Sequence, residues 1–245
     1  MTADEAASEP PGDKDVSWRE LAVARSLDSA RTRAENRVQR FMAAATELIN
    51  AGDRRDFTVQ EVVERSGQSL RSFYQHFDGK HELLLALFEE SVAGTAEHLR
   101  EKVEEERGPL DRLHRFVVEY YQICNRPTGK GEQARKGAPP VVTDFVQQLL
   151  TDRPKEAARA FAPLVAIFRE LLDDALAAGE VRAGLSGRAS GMMLEAIMFN
   201  AFSSTIVGAS SGDDRGGAEE LWDLILHGIA PRPAAQAGPG RAEGR

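Results

Sequence analysis

Apolar residues recur every three or four positions along most of the chain, and the strict alternation that marks strands is scarce. Val38, Phe41, Met42, Ala45, Leu48 and Ile49 fall on one helical stripe, which Gly52 can stop. Thr58 opens a short helix carrying Val59, Val62 and Val63, and Gly67 breaks it. Ser69 caps a second short helix with Leu70, Phe73 and Phe77, before an Asp78-Gly79 turn. A long helix is predicted from about Lys80 to Arg107, with Leu84, Phe88, Val92, Ala96, Leu99 and Val103 on its buried edge and Gly108-Pro109 at its end. Leu110, Leu113, Val117, Tyr120, Tyr121 and Cys124 mark the next helix. Further stripes run through Val141–Leu150, Phe161–Leu176, about 186–207 and 218–229. The pattern predicts an all-α protein of roughly nine main helices with no convincing sheet.

Composition adds the boundaries. Residues 1–16 and 231–245 are polar and read as disordered tails. Residues 17–36 read as a basic, partly helical extension: Ser17 opens a possible capping box, and Arg25, Arg31, Arg33, Arg37 and Arg40 follow closely. The Gly/Pro/Lys-rich stretch 126–140 and the GASSGDDRGG segment read as loops. With 42% hydrophobic residues in 245, the chain has enough apolar material for a real core.

Charge narrows the function. A net charge of −8 argues against coating nucleic acid through bulk charge but leaves room for a local basic face. One cysteine, Cys124, excludes an internal disulfide framework and a Cys-rich zinc site. No run of about 18 apolar residues suggests a membrane span, and the acidic start does not read as a signal peptide, so a cytoplasmic location is expected. The five histidines are scattered without metal-ligand spacing, and Cys124 has no recognisable partner base. We therefore expect no catalytic residues, no metal and no cofactor.

The segment Phe57–Leu84 carries the most information. Two short helices joined at a glycine can place the second in the DNA major groove. With the apolar residues turned inward, Gln68, Ser69, Arg71, Ser72, Gln75 and His76 are left outward or partly outward, a polar set able to hydrogen-bond to bases or phosphates. The segment resembles the DNA-binding domain of the TetR family of bacterial transcriptional regulators. The resemblance rests on Phe57-Thr58-Val59, Gly67 and Ser69 in the turn, Phe73-Tyr74-x-x-Phe77, and Lys80 followed by Glu82-Leu83-Leu84. It is strong over residues 37–88. Gln68 stands where family members often have an apolar residue, and Arg71 where they often have a small one.

The resemblance implies a three-helix DNA-binding head over residues 37–82 and a helical ligand-binding and dimerisation domain over 83–230. It implies phosphate contacts from Tyr74 and Lys80, and a DNA face that also takes in Arg37, Thr58, Gln68, Ser69, Arg71, Ser72, Gln75 and His76. Arg71 suits either a guanine edge or a phosphate. It implies a homodimer through the two C-terminal helices, consistent with the surplus of apolar residues around Met192–Val207 and Ala218–Ile229. It also implies a cavity between the helices of the second domain. The candidate lining is Phe116, Tyr120, Tyr121, Cys124, Phe145, Leu149, Phe168, Leu172 and Met192, with Met193 and Met198 nearby. The expected function is a regulator, most simply a repressor, released from a palindromic double-stranded operator by a small apolar or amphipathic effector. The competing reading is a helical small-molecule carrier or enzyme that does not bind DNA, and a sequence-specific DNA shift separates the two.

Overall fold

The computed structural model describes residues 17–51, 56–125, 127–128, 135–136, 139–185, 187–207 and 214–229. The expected tails, Gly52 and most of the loop segments lie outside these residues. Nine helices are present among them: α1 (Trp18–Asn50), α2 (Val59–Ser66), α3 (Leu70–Tyr74), α4 (Lys80–Glu104), α5 (Pro109–Cys124), α6 (Pro140–Asp152), α7 (Pro154–Ala177), α8 (Gly187–Val207) and α9 (Asp214–Ile229). One small departure from the all-helical expectation occurs inside 126–140. Two-residue strands β1 (Pro127–Thr128) and β2 (Arg135–Lys136) pair antiparallel, Pro127 opposite Lys136 and Thr128 opposite Arg135.

The N-terminal extension differs more. Instead of a partly helical extension followed by a separate first helix of the head, α1 is a single helix of 33 residues. No glycine or proline occurs between Ser17 and Ala51, so nothing in that stretch interrupts the backbone ladder. Its first half is exposed, and only from Ala34 onward does it enter the fold. α4 stops at Glu104, short of the expected Arg107. Consecutive acids at Glu104, Glu105 and Glu106 meet the negative end of the helix dipole, which disfavours continuing.

Local signals shape the small helices. Thr58 and Glu61 form a reciprocal capping box: the Glu61 amide donates to Thr58 Oγ1 at 3.2 Å, and the Thr58 amide donates to Glu61 Oε2 at 2.8 Å. Gly67 ends α2 with φ of 64°, a left-handed conformation that glycine adopts without steric cost. Ser69 then accepts from the Ser72 amide at 3.1 Å and starts α3. Phe41, Phe73 and Phe77 close the core beneath, with Phe41 and Phe73 edge to face at 5.4 Å.

Two apolar clusters organise the rest. The first holds the head residues together with Val141, Phe145, Val146 and Leu149 of α6 and the start of α7. The second joins α4, α5, α7, α8 and α9 around Leu99, Phe116, Phe168, Leu172 and Ile197. α4 contributes to both.

Candidate DNA-binding face and effector cavity

α3 lies on Phe73, which buries its apolar side and leaves Arg71, Tyr74 and Gln75 exposed, with Tyr74 at 56%. Ser69 is exposed at the cap, and Gln68, Ser72 and His76 are half-buried beside them. Ser72 Oγ, His76 Nε2 and Arg37 Nε are buried atoms without a hydrogen-bond partner among the described residues. An unmet buried polar atom costs about 1–3 kcal/mol, so three of them suit a surface that a polar partner or water completes.

Two members of the expected set have other commitments. The Thr58 hydroxyl accepts from the Glu61 amide and donates to Glu61 Oε2 at 3.0 Å, so it is engaged in the cap. Lys80, the first residue of α4, pairs through Nζ with the Asp56 carboxylate and lies 4.7 Å from the centre of the Phe57 ring. Burial lowers its pKa from the usual lysine value. Asp56 is not legible in the sequence as a partner of Lys80, because 24 residues separate the two and no periodicity links them.

Beneath the head lies a cavity of about 920 Å³. Leu84, Leu87, Phe88, Ser91, Val92 and Thr95 of α4 form one wall, and Tyr120, Ile123 and Cys124 of α5 another. Val142, Phe145, Val146 and Leu150 come from α6, Pro154, Phe161, Leu164, Val165 and Arg169 among others from α7, and Gly191, Leu194, Glu195, Met198 and Phe199 from α8. Thr46 and Ile49 of α1 also line it, so a helix of the head reaches the cavity directly. The volume and the mainly apolar lining fall in the range of small-molecule sites.

Of the expected lining, Tyr120, Cys124 and Phe145 lie on the cavity wall, as does Met198. Phe116, Leu149, Phe168 and Leu172 do not. They are almost fully buried core side chains, because their positions on α5, α6 and α7 turn toward neighbouring helices. Phe116 stacks parallel to Tyr120 at 6.3 Å and tilts against Phe168 at 6.0 Å. Tyr121 points instead toward α9, where Gly217 leaves room for its hydroxyl. Met192 is 60% exposed on α8. The sequence pattern did not single out Thr46, Ile49, Arg169 or Glu195. The one available signal was Arg169, a cation one turn beyond Val165 on an otherwise apolar stripe.

Tyr120 and Cys124 share a hydrogen bond in the wall. Burial drives the Tyr120 hydroxyl well above the usual tyrosine range, and the Cys124 thiol adds to this. Burial also pushes the thiol up to about 11, against a smaller lowering by the Tyr120 hydroxyl. Both groups are therefore neutral near pH 7 and can orient a polar atom of a ligand without charge.

The chain thus joins a helix-turn-helix head, through one long helix, to a cavity-bearing helical bundle. Residues 41–87 match the family model of bacterial regulatory proteins, tetR family. Over most of its length the chain is similar in fold to several solved proteins. One is the transcriptional regulator FadR from Bacillus subtilis, in complex with stearoyl-CoA: 17% identical, TM-score 0.59, covering 78% of this chain and 98% of that one. Another is Thermus thermophilus FadR, a TetR-family transcriptional repressor in complex with lauroyl-CoA: 22% identical, TM-score 0.59, covering 83% and 100%. RolR in complex with resorcinol is 15% identical, with TM-score 0.58 over 84% and 92%. No curated protein matches by sequence. No helix among the described residues is long and apolar enough to cross a membrane.

Proposed function

We propose that this chain is a ligand-responsive transcriptional regulator, a repressor that leaves its operator when an apolar or amphipathic molecule fills the cavity. One observation carries the reading: α4 begins in the core of a TetR-type head, through Leu83, Leu84 and Leu85, and continues as a wall of the cavity. A change in cavity packing is therefore a change at the base of the DNA-binding unit. A coupling of about 1–3 kcal/mol would alter operator affinity some 5- to 150-fold. That the solved relatives named above hold acyl-CoA thioesters or resorcinol supports an apolar effector class here. The repressor acts as a homodimer through α8 and α9, which sets two α3 helices about 34–36 Å apart on successive major grooves.

The DNA face consists of Arg37, Gln68, Ser69, Arg71, Ser72, Tyr74, Gln75, His76 and Lys80, with Thr58 fixing the start of α2. The test is selection of bound fragments from the source genome, followed by fluorescence anisotropy on the recovered operator. We expect selective binding at moderate salt and release by hydrophobic ligands. Arg71→Ala should cost about 1–3 kcal/mol and relax preference at one base pair if Arg71 reads a guanine. Equal losses on operator and random DNA assign it to a phosphate. Binding that shows no preference among genomic fragments would rule out the regulator.

A further inference from the structure

The cavity has a direction. α4 and α7 lie side by side and run the same way from the head, joined by ion pairs from His81 to Glu156, Glu89 to Arg159 and Arg100 to Glu170. The lining spans Leu84 to Thr95 on α4 and Pro154 to Arg169 on α7. At about 1.5 Å per residue these stretches measure about 16 and about 22 Å. The site is therefore long rather than round.

Its two ends differ in chemistry. At the head end stand Ile49, Leu84 and Leu87, with Thr46, whose hydroxyl is already used on the Met42 carbonyl at 2.9 Å. At the far end stand Tyr120, Arg169 and Glu195. Arg169 has no ion pair among the described residues. A long slot, apolar toward the DNA head and charged at the other end, where Arg169 and Glu195 are both exposed, fits an unbranched chain with a single polar terminus.

Resting on the regulator reading above, we propose that the effector is a long-chain acyl compound with its anionic end at Arg169 and its chain directed at Ile49. Chain length, read by the head's own α1, then decides whether binding releases DNA. The reason is thermodynamic. A ligand shifts a conformational equilibrium only by its difference in affinity for the two states. A short chain fills the part of the slot bounded by α5, α7 and α8, touches nothing that belongs to the head, and binds both head positions alike. A chain that reaches Ile49 packs against α1 and the Leu84–Leu87 turn, which line the end of the slot, and further methylenes must displace them, because no space remains beyond that wall. Only such a chain discriminates between the states. Glu195, beside the same polar end, opposes the anionic group and limits the affinity of every chain length equally.

The experiment uses the full chain and two series, free carboxylates and coenzyme A thioesters, from hexanoyl to palmitoyl. The two series separate a carboxylate from a phosphate-bearing head group. Calorimetry measures binding, amide exchange over residues 41–50 measures contact with α1, and operator anisotropy measures release. Short members should bind without protecting residues 41–50; from one threshold length onward, protection and release should begin together. Ile49→Ala should move the threshold to the next longer member, and Ile49→Phe to the next shorter one. Arg169→Gln should weaken binding of all lengths by about fivefold or more, and Glu195→Gln should strengthen it, neither moving the threshold.

Protection that follows occupancy at every length, or a threshold unmoved in both Ile49 variants, would overturn the length reading. So would failure of every acyl compound to bind. Failure to select genomic DNA would instead overturn the regulator reading, while calorimetry and exchange still judge where the chain lies.

Discussion

Lys80 meets two demands that compete. The resemblance to TetR heads casts it as a phosphate contact, yet its ammonium already pairs with Asp56 over the Phe57 ring. A phosphate must take that ammonium from the Asp56 carboxylate. Lys80→Ala is expected to weaken binding similarly on all sequences and to flatten the log–log salt dependence by about one unit. Asp56→Asn should do the opposite, tightening operator and random DNA alike, since it removes the competitor and leaves the cation. Anisotropy titrations across salt test both, and an Asp56→Asn protein with unchanged affinity would mean Lys80 does not reach a phosphate. Cys124 offers a second test. Its thiol is raised from 9.0 to about 11, so the fold disfavours the thiolate. The associated stability is intact below pH 9, the ordinary value, and is lost as pH rises through about 11. Cys124→Ala should lose less stability than wild type in that alkaline window, as measured by denaturant midpoints.

At the scale of elements, the α4–α7 contact is the joint between head and bundle. His81 Nε2 lies 2.8 Å from Glu156 Oε2, and Arg153 Nη1 lies 2.9 Å from the other oxygen. Hydrogen bonding to His81 first, and to Arg153 next, holds the Glu156 carboxyl below its usual pKa. A depressed carboxyl contributes stability above its unfolded value and loses it as pH falls through the folded one. Glu156→Gln should therefore lower the Tm near neutrality, with the difference closing in acid. Scanning calorimetry across pH checks this, and a difference independent of pH would assign the effect to packing. α1 supplies the other element-level test. Its exposed half carries Arg19, Arg25, Arg31 and Arg33 on a helix continuous with the head. Deleting residues 1–33 should leave the Tm unchanged and reduce operator affinity at physiological salt. Unchanged affinity would make the arm a solvated extension.

At the scale of the molecule, apolar surface remains on the C-terminal helices. Met192 and Phe199, seven residues apart on α8, are 60% and 69% exposed, and Leu224 on α9 is 73% exposed. Leu221, Trp222, Ile225 and Ile229 meanwhile face inward, so α9 has apolar residues on two sides. A second copy of the chain can cover the outer side by a two-fold four-helix contact. The double variant Phe199→Asp and Leu224→Asp should sediment as a 26.8 kDa monomer and lose operator binding, with helicity retained. A variant that stays dimeric would place the contact elsewhere.

Much of this was legible from residue order because it is governed by local physics. Thr58, Gly67 and Ser69 determine where α2 and α3 start and stop, since caps and left-handed glycines act within a turn of themselves. The 3.6-residue period determined the helices and the two-faced excess on α8 and α9. Continuity of α1 was legible too, in the absence of glycine and proline from Ser17 to Ala51, although the composition shift pointed to a break. Tertiary structure alone decided the rest. Periodicity shows that Phe116, Phe168 and Leu172 are buried, but whether a buried face meets another helix or empty volume depends on how helices cross, and here it meets helices. The same crossings bring Ile49 and Arg169, 120 residues apart in sequence, to one cavity, and Asp56 to Lys80. Those pairings arise from the packing of whole elements, and no local pattern encodes them.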